Sequence, residues 1–141
     1  MKKKILIVIS NYYKDISKGM LDSAVKLIPK SNSIKIINVP GIFEIPIAIR
    51  RSVKKFDGFI ALGCVIKGQT PHFDLISSSV FNAITKLSIN FNKPIGNGII
   101  TALNKSQAAA RSKISNGKKV NKGSEAANAV ISILKNGPKK I

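Results

Sequence analysis

The stretch Gly58-Phe59-Ile60-Ala61-Leu62-Gly63-Cys64-Val65-Ile66-Lys67-Gly68-Gln69-Thr70-Pro71-His72-Phe73-Asp74 carries the reading that decides the fold. The run Gly58 to Ile66 is apolar enough for a strand buried on both faces of a parallel sheet. From Phe73 onward the apolar residues recur at helical spacing. The residues between them, with the chain's only histidine, His72, at their end, therefore sit at the carboxyl end of a strand and the amino end of a helix. Unpaired backbone N–H groups and the helix dipole favour an anion there. A lone histidine can take or give a proton; it can equally cap the helix or pack against Phe73.

Outward from that strand the chain alternates between two periods. Ile5 to Ser10 reads as a strand, and Ser17 to Ile28 as a helix with Met20, Leu21, Ala24, Val25 and Ile28 on one face, ended by Pro29. Ile34 to Val39 is a second strand. Pro40-Gly41 then turns the chain into a helix running to about Lys55, with Pro46 tolerated in its first turn. After the third strand, Gly58 to Val65, a helix from Phe73 to about Phe91 turns Ile76, Val80, Ala83, Ile84 and Leu87 to the core. Pro94 to Thr101 is the fourth strand. Asn104 can cap a helix through about Ser115, Asn116-Gly117 breaks it, and Lys122 to Leu134 forms the last, carrying Ala126, Ala127, Ala129, Val130, Ile133 and Leu134. Strands alternating with helices imply right-handed crossovers and a four-stranded parallel sheet covered on both faces, an α/β fold. At 141 residues the chain is long enough for one domain with a core, 1–141, and too short for two ordinary ones.

Composition narrows the function. No apolar run approaches the roughly 20 residues of a membrane span, and Lys2 to Lys4 lead straight into a strand instead of a signal h-region; the expected location is the cytoplasm. A single cysteine, Cys64, excludes an intrachain disulfide and a Cys-based zinc site, and a single histidine excludes a His-rich metal site. Cys64, at the end of an apolar strand, reads as a small pocket-lining residue and not as a nucleophile. The net charge of +18 invites a nucleic-acid reading. Its distribution argues against one: only Arg50, Arg51 and Arg111 are arginines, the lysines are spread along the chain among Asn and Ile, and no helix-turn-helix, zinc-finger or RNP-type pattern accompanies them. Drift toward Lys, Asn and Ile would look like this, so neither a specific nucleic-acid partner nor a membrane is expected.

In a parallel α/β sheet, ligands bind outside the carboxyl ends of the strands. The loops expected to meet there are Asn11-Tyr12-Tyr13, Val39-Pro40-Gly41-Ile42-Phe43-Glu44-Ile45-Pro46, and Cys64 to His72. Glu44 is unusual, an acid among apolar neighbours in a chain with six acidic residues. It either accepts hydrogen bonds from something polar or is an exposed first-turn glutamate favoured by the dipole.

Five motifs, in order along nearly the whole chain, resemble the 6,7-dimethyl-8-ribityllumazine synthase family. They are Val39 to Pro46; Gly63 to Asp74; Asn97-Gly98-Ile99-Ile100-Thr101; Gln107-Ala108 followed by Arg111; and Asn121-Lys122-Gly123 followed by Glu125-Ala126-Ala127. The resemblance implies a flavodoxin-like three-layer α/β/α sandwich. It also implies a transferase of riboflavin biosynthesis that joins 5-amino-6-(D-ribitylamino)uracil to 3,4-dihydroxy-2-butanone 4-phosphate, releasing phosphate and water. Neither a metal nor an organic cofactor is required by those steps.

Site roles follow from the same resemblance. Tyr12 would stack on the pyrimidine, unless it packs in the core. Ile42, Phe43 and Glu44 would hold the ring and ribityl chain. The backbone of Cys64, Val65 and Ile66 would pair with the pyrimidine edge. Gln69 and Thr70 would form the phosphate turn, Arg111 would grip the phosphate through its planar fork unless it is an ordinary surface arginine, and His72 would transfer protons. Asn97 stands where the family often has an aromatic, Lys67 where Arg is common, and Pro71 is expected to rigidify its loop. A second basic residue near the phosphate stays open among Lys113, Lys118 and Lys119. The related archaeal-type riboflavin synthase is disfavoured by the Pro40 to Pro46 and His72 motifs, and a non-catalytic flavin or lumazine carrier by the presence of both His72 and Arg111.

The resemblance implies, finally, a homopentamer with shared active sites, Asn97 and Arg111 reaching into a neighbour's pocket. Absence of an N-terminal extension before Ile5, and the lysine-rich segment Ser112 to Val120, favour stopping at the pentamer.

Overall fold

The computed structural model of the chain describes residues 2–113 and 121–136. Four parallel strands, β1 (Lys4–Ser10), β2 (Ser33–Val39), β3 (Gly58–Ile66) and β4 (Ile95–Ala102), form one sheet in the order β2-β1-β3-β4. Helices α1 (Lys14–Leu27), α2 (Ile45–Ser52), α3 (His72–Phe91), α4 (Lys105–Ser112) and α5 (Lys122–Lys135) surround it. The connection through α1 leads to one side of β1, and the connection through α2 passes back over β1 to the other. Right-handed crossovers running in opposite directions must lie on opposite faces, so the sheet is doubly wound.

The two cores show this division residue by residue. Ile5, Ile7, Ile9, Ile60, Leu62, Cys64 and Ile100 pack with Ile16, Met20 and Ala24 of α1 and Ala127 and Val130 of α5. Their strand neighbours Leu6, Val8, Phe59, Ala61 and Ile99 pack with Ile45 and Ile49 of α2 and Val80 and Ile84 of α3. Successive strand side chains point to opposite faces, so an unbroken apolar run serves both layers at once. The three-layer α/β/α arrangement and the all-parallel sheet are those expected from the alternation.

Several boundaries differ from the sequence reading. α1 begins at Lys14, three residues before the expected Ser17, which is buried, its hydroxyl donating to the Ser10 carbonyl at 2.8 Å and fastening the helix to the end of β1. Val25 is exposed, while Ile16 takes a core place on that helix. The segment after Gly41 is a 3-10 turn, Ile42–Glu44, before α2, which ends at Ser52. Pro46 lies in the first turn, where its missing N–H costs nothing. α3 starts at His72. α4 is capped by Asn104, whose Oδ1 accepts from the Gln107 N–H at 2.9 Å, but it ends at Ser112, three residues early, because Lys113 is extended. On α5, Ala129 and Ile133 face outward and Ile131 inward. Asn116-Gly117 lies outside the described residues.

Candidate active site

The order β2-β1-β3-β4 places the topological switch point between β1 and β3, where the connections diverge and leave a crevice. The pairing of β3 with β1 stops at Leu62, opposite Ile9, but β3 continues to Ile66 and pairs with β4 as far as Ala102. Gly63 to Ile66 therefore run beyond their β1 neighbour. Their main chain borders the crevice, where a flat ligand rich in donors and acceptors can add to the strand as a further edge.

The expected site residues other than Asn97 and Arg111 lie in the segments that follow β1, β2 and β3 or at the end of β3. Tyr12, in the loop after β1, is 76% exposed and meets Tyr13 edge-on with ring centroids 5.0 Å apart. It is therefore a free aromatic surface and not core packing. That loop is tied to the end of β2 by the Asn11 amide donating to the Asn38 side-chain carbonyl. Ile42 is buried over Gly63, so closely that a β-carbon on Gly63 would stand 2.7 Å from the Ile42 Cγ2. Glycine at that point is what lets the Pro40 to Pro46 motif sit on β3. Phe43 is turned out, 61% exposed, and the half-buried Glu44 carboxylate lies back over Gly41. Cys64 departs from the pocket-lining expectation: its side chain belongs to the core shared with α1 and α5, and burial pushes its thiol up to about 11. Burial also raises the phenol of Tyr13, with the neighbouring Cys64 a lesser cause. Val65 and Ile66 are half-buried at the strand end, and Gln69, Thr70 and His72 are exposed. Thr70 Oγ1 lies 3.4 Å from the His72 backbone N–H, at the open end of α3.

The side chains gather into separate cavities. His72 and Phe43 line one with Leu75, Ile76 and Ser79; Phe43 and Ser79 also line its neighbour, with Glu44. A cavity of about 300 Å³ lies elsewhere, along β4 between α3, the end of α4 and the start of α5, and is lined by Asn97, Arg111, Lys122, Glu125 and Phe81, among others. Neither His72 nor Gln69 and Thr70 line it. Within it the Arg111 guanidinium donates to the Gln107 carbonyl at 3.3 Å, and the Lys122 ammonium stands 3.6 Å from the Glu125 carboxylate. Asn97 Oδ1 accepts from the Ile99 N–H at 3.0 Å, satisfying an amide on the outer edge of the sheet.

Lys122 and Glu125 were absent from the sequence list of site residues. The sequence leaves a second basic residue open among Lys113, Lys118 and Lys119, and Lys122 lines the same cavity as Arg111; Lys118 and Lys119 lie outside the described residues. The Asn121-Lys122-Gly123 motif was the available signal. Among the described residues no group of three or more His, Cys, Asp or Glu side chains could hold a metal ion, and no helix is long and apolar enough to cross a membrane.

A doubly wound parallel sheet, with open strand edge at its switch point and a cationic cavity at its margin, defines an α/β enzyme built to hold small polar and anionic substrates. The family model for 6,7-dimethyl-8-ribityllumazine synthase matches residues 2–136. The chain is 39% identical over 140 residues to the 6,7-dimethyl-8-ribityllumazine synthase of Nitrobacter hamburgensis, covering 94% of this chain and 84% of that one. It is 42% identical to those of Bartonella bacilliformis, covering 92% and 87%, and of Buchnera aphidicola subsp. Baizongia pistaciae, covering 94% and 86%. The chain belongs to the 6,7-dimethyl-8-ribityllumazine synthase family. It is a transferase of riboflavin biosynthesis, forming the lumazine by condensing 5-amino-6-(D-ribitylamino)uracil with 3,4-dihydroxy-2-butanone 4-phosphate.

Proposed function

We propose that this condensation runs in a pocket completed by two copies of the chain, one supplying the crevice at the switch point and the other the Arg111 cavity. The observation that carries the reading is the separation of the two sets of residues: His72 and Phe43 line one cavity, and Asn97, Arg111 and Lys122 another that shares no residue with it. The phosphate turn, Gln69 and Thr70, needs a strong cation for a phosphoryl group, and neither residue lines the cavity of Arg111 and Lys122. Apolar side chains left in water, Phe43, Ile47 and Leu75 near the His72 cavity and Ile89 and Ile133 around the beginning of β4, support contact between copies.

In such a pocket the pyrimidine adds its donor–acceptor edge to the main chain of Cys64 to Ile66, with Tyr12 and Phe43 offering aromatic faces and Ile42 and Glu44 holding the ring and ribityl hydroxyls. Arg111 and Lys122 hold the butanone phosphate against Gln69, Thr70 and the start of α3. The pyrimidine's 5-amino group attacks the ketone and water leaves as the imine forms. Phosphate is eliminated, the enol left behind tautomerises to a ketone, and the ribitylamino nitrogen adds to that carbonyl, closing the ring as a second water leaves. His72 moves protons between these steps, while alignment of two substrates supplies much of the rate. Asn97 presents an amide in place of a ring. The assembly we propose is a homopentamer in the cytoplasm; head-to-tail contacts of this kind close a ring when the rotation is one-fifth of a turn. The Ser112 to Val120 segment, expected to limit assembly, falls mostly outside the described residues and gives no support.

Subunit complementation tests the reading. His72→Ala and Arg111→Ala proteins, each nearly inactive, are unfolded and refolded together in equal amounts. Random assembly leaves about a quarter of shared pockets with both native residues, so activity near a quarter of the native value is expected. A mixture no more active than its parts shows that each pocket draws both residues from one chain.

A further inference from the structure

Arg111 lies in the last turn of α4 and Lys122 begins α5. We infer that Asn121 is the positioning residue that sets these two cations as a pair, an inference that rests on reading their cavity as the phosphate half of the pocket. Asn121 is 3% exposed and stands next to Lys122. Its Oδ1 accepts from the Ser124 N–H at 2.9 Å and caps α5. A backbone N–H must face an oxygen, so the other end of the carboxamide is its NH2 group. That group lies 3.3 Å from the carbonyl of Ser112, the residue after Arg111, and 2.6 Å from Ser23 Oγ and 3.4 Å from the Gly19 carbonyl, both on α1. One side chain thus joins the end of α4, the start of α5 and the middle of α1.

The platform beneath it is bare backbone. A β-carbon on Gly19 would stand 2.4 Å from the Ser112 carbonyl oxygen, and one on Gly123 would stand 2.2 Å from the Met20 carbonyl oxygen. Both helix ends therefore rest on α1 at adjacent residues with no side chain between. Asn121 closes this frame from within, since its acceptor holds α5 and its donors hold α4 and α1. Ser or Asp would cap α5 as well, but neither reaches across with a donor. The carboxamide is needed for the bridge.

Steady-state kinetics with Asn121→Ser, which keeps a capping oxygen and loses the bridge, tests the inference. The expected result is a KM for the butanone phosphate raised about ten- to a hundredfold, inhibition by inorganic phosphate weakened by the same factor, and an unchanged KM for the pyrimidine. Added to Arg111→Ala, the same substitution should raise the butanone phosphate KM little further, because it acts through the cation already removed. Should Asn121→Ser fail to fold, Ser23→Ala, which removes only the 2.6 Å partner, should shift the same two constants in the same direction. A lowered melting temperature with both phosphate-linked constants unchanged would make Asn121 structural only, and a fully multiplicative double variant would make it independent of Arg111; either overturns the inference. If Arg111→Ala itself leaves the butanone phosphate KM unchanged, the phosphate reading of the cavity is what fails.

Discussion

His72 opens α3, lines one cavity with Phe43 and has the Thr70 hydroxyl beside its amide; in the proposed pocket its exposed side chain would stand near the substrate and exchange protons with solvent. Replacing it with Ala should slow turnover by roughly ten- to ten-thousand-fold, the range for general acid–base terms, while pyrimidine binding measured by titration stays intact. An unchanged rate would remove it from the chemistry. Cys64 gives the opposite case, a reactive group type in an unreactive setting. Burial holds its pKa at about 11, above that of an exposed thiol, so the neutral form persists as pH rises and the thiolate becomes abundant only near pH 11. At pH 8, alkylation by iodoacetamide should run about a hundredfold slower in the folded protein than in urea. Equal rates would mean the strand end is open.

At the scale of elements, the α1 platform is a demanding contact, because the end of α4 and the start of α5 meet the middle of α1 on main chain. Gly123→Ala should cost about 1–3 kcal/mol by urea unfolding, since its methyl group would press on the Met20 carbonyl and one helix must shift. Gly68→Ala is the control: nothing lies within 4 Å of the added carbon, and the change should stay within about 0.5 kcal/mol. Equal effects would show that α5 is free to slide on α1. The same platform explains why α4 stops at Ser112: its carbonyl is already engaged by Asn121, and a further turn would carry the chain past Gly19.

At the scale of the whole molecule, the proposed shared pocket requires an assembly of several chains. Light scattering at moderate salt should return a mass near five times that of the 15.2 kDa chain. A monomer would refute the shared pocket. A shell-sized particle would keep the pocket and refute the pentamer as the final assembly.

The sequence by itself determined the alternation, the parallel sheet and the loops that carry chemistry. Uninterrupted runs such as Ile5-Leu6-Ile7-Val8-Ile9 and Gly58 to Ile66 have one low-energy use, burial on both faces. The motif loops were legible because Gly, Pro, His and Glu have no apolar reason to stand at strand ends. What only the tertiary structure decided were the relations across sequence distance. Ser17 reads as the start of a helix but lies a turn inside it and bonds back to Ser10, Cys64 reads as pocket lining but turns into the core, and Val25 has helical spacing but lies off the buried stripe. Lys122 could not be told from nearby lysines, since a lysine's role depends on what stands opposite it. Its place beside Arg111 is set by Asn121, Gly123 and a helix about a hundred residues earlier in the chain. Periodicity records which face of an element is buried; it carries no record of which distant backbone that face meets.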